Sequence, residues 1–147
     1  MDGQALAIIG LALCAGLCGV GSAIGLFKTG SAAAGILAED PKKFSKALIL
    51  VVLPATQGIY GFVLAIMGMG SVVDGMTIAA GWKIFGAALP LAITGLISGI
   101  YQGKTAVGGI YAIAKNESLS GKLILFPAMV ETYAILGLVV SILLMGA

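Results

Sequence analysis

A single glutamate, Glu131, lies in the apolar stretch LFPAMVETYAILG. The apolar run around it begins after Lys122 and continues to the C-terminus. A charged side chain at the centre of a bilayer costs about 2.5–3.5 kcal/mol, so such residues are rare and usually mark an ion or proton pathway. Glu131 is therefore the first candidate for a functional residue, and cation or proton binding is the chemistry that it could perform.

Two amide side chains are predicted to lie in the same layer as this carboxylate. Counted at 1.5 Å per residue from the lysines at the ends of their segments, Glu131, Gln57 and Gln102 lie at depths of about 14, 17 and 20 Å. The three residues belong to three different apolar segments. A site built from them would therefore lie between helices.

The segment LPATQGIY adds further polar atoms to this layer. Leu53, Thr56, Gln57 and Tyr60 follow the spacing i, i+3, i+4, i+7, which is one face of a helix. Pro54 has no N–H and is predicted to break a helical hydrogen bond. Backbone carbonyls released in this way within a membrane usually pair with a neighbour or a bound ion.

The number of oxygen atoms favours a sodium ion, although a proton stays possible. A proton on Glu131 needs one acceptor, whereas a hard cation needs several oxygens at once. The hydroxyl of Thr56, the amides of Gln57 and Gln102 and a carbonyl near Pro54 would be four neutral ligands. One carboxylate balances one monovalent cation, so Na⁺ fits this set better than Ca²⁺.

Composition places the chain in the membrane class. Hydrophobic residues make up 60% of the 147 residues and charged residues only 10%, against about 25% charged in soluble domains. The net charge is +2 and every basic residue is lysine, so no nucleic-acid partner is expected. Histidine is absent, and Cys14 and Cys18 are spaced i, i+4 on an apolar segment. We interpret these cysteines as small packing residues rather than a metal or redox pair.

Four apolar segments are separated by the short breaks EDPKK, SVVDGM and KNESLSGK. Each is long enough to cross a bilayer, which requires about 20 residues. The sequence therefore predicts an all-α integral membrane protein whose four transmembrane helices form two antiparallel hairpins. The predicted helices are residues 4–38, 44–72, 79–114 and 120–146.

The two hairpins resemble each other in sequence. LPATQGIYG aligns with FPAMVETYA, which sets Glu131 opposite Gly58. This internal repeat indicates duplication of one hairpin. We predict a first hairpin at residues 1–74, without the carboxylate, and a second at residues 75–147, which carries it.

Lysine placement predicts the orientation of the helices in the cell membrane. Lysines lie in or beside the breaks at residues 39–43 and 115–122, whereas neither terminus carries one. The positive-inside rule then places both breaks in the cytoplasm and both termini outside.

Glycines are concentrated in the first and third segments, and bulkier side chains in the second and fourth. Gly95, Gly99 and Gly103 repeat the small-xxx-small spacing that allows helix backbones to approach closely. This sorting predicts a homo-oligomeric ring with closely packed inner helices and bulkier outer ones.

The motifs LPATQGIYGF, SGIYQGK and AMVETYAILG resemble the membrane rotor proteolipid (the K or c type) of V-type ATPases, and most closely bacterial Na⁺-translocating members. The resemblance covers essentially the whole chain. It implies a ring of identical subunits that turns in the lipid bilayer against a membrane stator subunit, driven through a central stalk by an ATP-hydrolysing head. By motif, it implies that Na⁺ is bound by the Leu53 backbone carbonyl, Thr56, Gln57, Gln102 and Glu131, with Tyr60 hydrogen-bonded to the glutamate.

No catalytic residues and no organic cofactor are expected in this chain. It has no G-x-x-x-x-G-K-[ST] phosphate-binding motif, so it would be the transport component of an ATP-driven pump. One alternative is the same rotor with H⁺ as the coupling ion. A remote alternative is a small four-helix multidrug efflux transporter, which would need an aromatic-lined, water-open cavity near Glu131.

Overall fold

The computed structural model describes residues 2–147 and contains four helices long and apolar enough to cross a membrane. The prediction of an all-α membrane protein with four transmembrane helices is confirmed. In chain order the elements are α1 (Gly3–Glu39), α2 (Phe44–Val52), a 3-10 turn at Leu53–Ala55, α3 (Thr56–Met69), α4 (Ile78–Lys115), α5 (Ser120–Leu123) and α6 (Leu125–Gly146). We call Gly3–Glu39, Pro41–Met69, Ile78–Lys115 and Glu117–Gly146 the first to fourth spans.

Polar side chains cap the ends of the helices where the chain turns. Asp2 and Thr77 are the N-caps of α1 and α4, and each accepts a hydrogen bond from a backbone N–H three residues later, at 2.8 and 3.2 Å. Asp40 ends α1 and accepts the backbone N–H of Lys42 at 3.1 Å. Between the second and third spans, Gly75 adopts φ 74°, a conformation that glycine allows at no steric cost.

The predicted break at residues 115–122 is shorter than the sequence indicated. Lys115 still belongs to α4, and Asn116 is the single residue outside a helix before a 3-10 turn at Glu117–Leu119. The side chain of Asn116 accepts hydrogen bonds from the N–H and the hydroxyl of Ser118, at 3.1 and 2.7 Å. Because the Asn116 side chain accepts the free backbone N–H of Ser118, the fourth span begins without a longer loop.

The long helices α1 and α4 pack with their backbones in contact. A Cβ added to Gly21 would lie 2.6 Å from the carbonyl oxygen of Leu96, and one added to Gly99 would lie 2.7 Å from the carbonyl carbon of Gly21. Gly103 faces Gly25 in the same way. The predicted close packing of the first and third spans is confirmed, and it depends on the absence of side chains at these positions.

Two apolar clusters fill the interior, and a polar layer separates them along the helices. The first includes Ala7, Leu11, Cys14, Cys18, Leu64, Ile84, Ala88, Leu91 and Ala92. The second includes Ala32, Ala33, Ile36, Ala47, Leu50, Ala106, Ile110 and Ile113. Buried polar side chains lie between them in sequence, namely Ser22, Thr29, Gln57, Ser98 and Gln102. Both cysteine thiols are free and buried in the first cluster, as packing residues would be.

Candidate ion-binding site

The carboxylate of Glu131 accepts one hydrogen bond on each oxygen. The hydroxyl of Tyr60 donates to Oε1 at 2.6 Å, and Nε2 of Gln102 donates to Oε2 at 3.2 Å. Within residues 2–147 no lysine lies close enough to form an ion pair with it. The side chain is half-buried. The carboxylate is therefore oriented by two neutral donors, and among residues 2–147 it has no cationic side chain beside it.

The two glutamines connect the second span to the third. Gln57 and Gln102 are fully buried. Nε2 of Gln57 donates to Oε1 of Gln102 at 2.6 Å and to the hydroxyl of Ser98 at 3.1 Å. The predicted layer of Gln57, Gln102 and Glu131 therefore exists as a continuous chain of hydrogen bonds across three spans.

Pro54 interrupts the second span as the sequence indicated. The helix is replaced by a 3-10 turn at Leu53–Ala55, because proline cannot donate the next helical hydrogen bond. The carbonyl oxygen of Leu53 lies 3.2 Å from the hydroxyl of Thr56, and this hydroxyl lies 3.4 Å from Oε1 of Gln57. Three oxygen atoms therefore lie close together beside the interruption.

Two hydrogen bonds to side chains of helix α1 hold the backbone around this interruption. Thr29 donates its hydroxyl to the carbonyl of Val51 at 2.9 Å, and Ser22 accepts the backbone N–H of Gly58 at 2.8 Å. Between them, Gly25 leaves space for the ring of Pro54, since a Cβ there would lie 2.5 Å from the proline Cβ. The backbone on both sides of Leu53 is thus held by polar groups of another helix.

The arrangement offers one negative charge and several neutral oxygens. Among the described residues, 2–147, no three His, Cys, Asp or Glu side chains come together, so the site lacks the donors that transition metals prefer. Carboxylate, amide, hydroxyl and carbonyl oxygens are the ligands of hard cations. The two apolar clusters lie on either side of this layer along the helices.

Three buried hydroxyls around the site were missed by the sequence interpretation. Ser22 and Thr29 hold the backbone beside Pro54, and Ser98 joins Gln57 to the carbonyl of Val130 at 3.0 Å. Small hydroxyl residues are common in membrane helices as interhelical hydrogen-bonding groups. The one available signal is that each lies within a few residues of the glycines at which α1 and α4 meet.

Comparison with known proteins agrees with a fold of two related helical hairpins. The sequence model of the family described as the ATP synthase C subunit matches the chain twice, at residues 9–68 and 85–144. The chain belongs to this family. Each match falls on one of the two helical hairpins, so the family unit occurs twice in one chain. This assignment gives no support to the alternative of a multidrug efflux transporter.

Relatives in bacteria, archaea and animals extend over most of the chain. The V-type sodium ATPase subunit K of Enterococcus hirae is 48% identical, over 97% of this chain and 91% of the relative. The A-type ATP synthase subunit K of Methanocaldococcus jannaschii is 40% identical, over 99% of this chain and 64% of the relative. The V-type proton ATPase 16 kDa proteolipid of Rattus norvegicus is 30% identical, over 85% of this chain and 81% of the relative.

Proposed function

We propose that the chain is the ion-carrying subunit of the membrane rotor ring of a V-type ATPase, with Na⁺ as the coupling ion. The family assignment supports the rotor role, and the name of the 48% identical relative supports sodium. The observation that carries the proposal is the chain of buried polar groups that ends on Glu131. The ATP-hydrolysing activity belongs to other subunits.

The proposed ligands are the five groups that the motifs indicated: the Leu53 carbonyl, Thr56, Gln57, Gln102 and Glu131. Hydrogen bonds or distances of 3.4 Å or less join them in one series, which supports a common site. A proton would need only one of these neutral oxygens. The alternative of H⁺ is supported by the more distant relatives named proton ATPases, and it leaves the number of buried oxygens without an explanation.

The mechanism follows from the charge of Glu131. With Na⁺ bound the site is neutral overall, so it can face lipid while the ring turns. Without the ion, a bare carboxylate would have to cross the hydrocarbon, at a cost of about 2.5–3.5 kcal/mol. We infer that the empty carboxylate pairs with a cationic residue of the membrane stator, for which the family resemblance implies arginine. Torque transmitted by the central stalk separates this pair and passes the site to the opposite access route.

We propose that both termini face outside and that the connections at residues 39–43 and 115–122 are cytoplasmic. Two interactions support a common location for these connections. Lys43 donates to the carbonyl of Ala114 at 2.9 Å, and Lys46 forms an ion pair with Glu117. The lysines of both connections thus lie at one end of the molecule, as the positive-inside rule requires.

The division into hairpins at residues 1–74 and 75–147 belongs to the same proposal. The double family match at residues 9–68 and 85–144 supports it, with the two matched parts on either side of the division. Each hairpin would then descend from one copy of the family unit.

Binding of ²²Na⁺ to the purified ring, measured over a series of pH values, tests the proposal. We expect saturable binding with one ion per protomer, weakened at low pH by competition from protons. A carbodiimide that attacks protonated carboxyls in apolar surroundings should modify Glu131 alone among the six acidic residues, and Na⁺ should protect it. Labelling that is indifferent to Na⁺, together with no ²²Na⁺ binding, would assign the ring to protons.

A further inference from the structure

Ser98 is a buried residue beside the candidate site that is not among its proposed ligands. It lies on α4 and only 4% of its surface is exposed. Its hydroxyl donates to the carbonyl of Val130 at 3.0 Å and accepts a hydrogen bond from Nε2 of Gln57 at 3.1 Å. It therefore joins the second, third and fourth spans at the level of the site.

The direction of this hydrogen-bond chain is set by its two ends. Val130 offers a backbone carbonyl and Glu131 a carboxylate, and both can only accept hydrogen bonds. Because the Ser98 proton is directed to Val130, the Ser98 oxygen can only accept, and Gln57 must present its NH₂ group to it. Because Glu131 accepts from Gln102, Gln102 presents its oxygen to the same NH₂ group of Gln57.

Both N–H bonds of the Gln57 amide are thereby used, one by Ser98 and one by Gln102. The Oε1 atom is left on the opposite side of the amide, 3.4 Å from the hydroxyl of Thr56. An amide turned by 180° would place two hydrogens, rather than an oxygen, next to the Thr56 hydroxyl. Such a reversal would turn a cation ligand into a repulsive group.

We propose that Ser98 is a positioning residue, which holds the Gln57 amide with its oxygen towards the bound cation. This inference rests on the proposed Na⁺ function, because it concerns the orientation of one proposed ligand. Ser98 acts through Gln57 and does not touch the ion itself. Its hydroxyl oxygen is occupied by the Gln57 amide, and its proton is occupied by Val130.

The test is a double-mutant cycle on Na⁺ affinity in the purified ring. Ser98→Ala should weaken Na⁺ binding by about 3- to 10-fold, the effect of one lost buried hydrogen bond. In a Gln57→Leu background the same substitution should have no further effect, since no amide remains to be oriented. An equal loss in both backgrounds, or no loss in either, overturns the proposal.

Ser141→Ala is the matched control. Ser141 is also a fully buried serine, and it accepts the backbone N–H of Leu91 at 3.1 Å, away from the glutamines. Its removal should leave Na⁺ affinity within about 2-fold of wild type while costing a similar hydrogen bond. A comparable loss of affinity in Ser141→Ala would show that Ser98→Ala acts through general stability, and would overturn the specific role.

A measurement on the wild-type ring covers the case in which Ser98→Ala does not assemble. With ¹⁵N-labelled glutamine and ¹³C-labelled serine, solid-state NMR should detect the Gln57 side-chain nitrogen close to the Ser98 Cβ in the Na⁺-loaded ring. Absence of this contact means that the amide is reversed, and overturns the proposal. Failure of the wild-type ring to bind ²²Na⁺ is a separate result, which contradicts the sodium function itself.

Discussion

The second helices of the two hairpins share a sequence pattern but differ in chemistry. Pro54 corresponds to Pro127, and both rings are buried. Four residues after the proline, the first hairpin has Gly58 and the second has Glu131. Gly58 donates its N–H to Ser22, whereas Glu131 carries the charge of the candidate site. The two related hairpins therefore carry one carboxylate at this position rather than two.

The corresponding tyrosines show the same division. Tyr60 is half-buried and donates to Glu131, while its counterpart Tyr133 is 66% exposed and lies in the fourth span. In the same alignment, Gln57 corresponds to Val130 and Gln102 to Lys28. A second site at the symmetry-related position would therefore lack both amides as well as the carboxylate. In the proposed site, the first hairpin supplies three neutral oxygens, and the second supplies the amide of Gln102 and the carboxylate of Glu131.

Removal of the only carboxylate in this comparison has the largest expected effect. Glu131→Gln keeps the shape of the side chain and makes the second hairpin as neutral at this position as the first. We expect Na⁺ affinity to fall by more than about 100-fold, equivalent to about 2.8 kcal/mol, with ring assembly intact. Equilibrium ²²Na⁺ binding measures it. Asp74→Asn, in the exposed turn, is the control, and normal ion pumping by Glu131→Gln would contradict the proposed role.

Removal of the amide from the third span tests whether the second hairpin supplies a neutral ligand too. Gln102→Leu keeps bulk and apolarity but leaves the site with one oxygen fewer. We expect a loss of about 1–3 kcal/mol, or 5- to 150-fold in Na⁺ affinity. Gln4→Leu, near the start of α1, should have no effect. Should Na⁺ affinity stay unchanged while the pH profile of transport shifts, Gln102 is not a ligand and the site belongs to protons.

A pair of tyrosine variants sharpens the contrast between the hairpins. Tyr60→Phe removes one of the two hydrogen bonds on Glu131, and we expect Na⁺ affinity to fall by about 2- to 10-fold. Tyr133→Phe removes an exposed hydroxyl at the corresponding position and should change nothing. Both can be measured by Na⁺ protection against carbodiimide labelling of Glu131. Equal effects of the two variants would show that the hairpins are not functionally distinct at this position.

Gly58→Ala gives the smallest expected effect, because it concerns the place where the first hairpin has no carboxylate. A Cβ there would lie 3.3 Å from the Ser22 hydroxyl, so Ser22 would have to move by a few tenths of an ångström. We expect Na⁺ affinity within about 2-fold of wild type and a change in stability under about 1 kcal/mol. Gly61→Ala is the comparison, since its Cβ would lie 2.5 Å from the Cβ of Cys18. It should destabilise the ring by about 1–3 kcal/mol in thermal dissociation.

Hydrophobic run length was sufficient to predict the four spans to within a few residues, because a bilayer imposes a minimum length on each apolar segment. The shorter connection at Asn116 was not predicted, because it depends on the hydrogen bonds that the Asn116 side chain accepts from Ser118 at the start of the next helix. Glu131 could be selected from the sequence because a lone carboxylate in a membrane is costly. Ser98 could not, because its partners lie on two other spans and a serine in a helix has no distinctive pattern.

The residue pattern alone was enough to predict the membrane class, the helical spans, the internal repeat and the identity of the one carboxylate at depth. Which polar atoms meet could be seen only in the packed helices. Glu131, Gln102 and Gln57 come from three spans, so their hydrogen bonds depend on the register between helices. That register is set where the backbones of α1 and α4 touch at glycines and where α1 holds the break at Pro54. Counting residues from the lysines placed the three side chains in one layer, but a periodic pattern describes one helix at a time and does not say which of their atoms face each other.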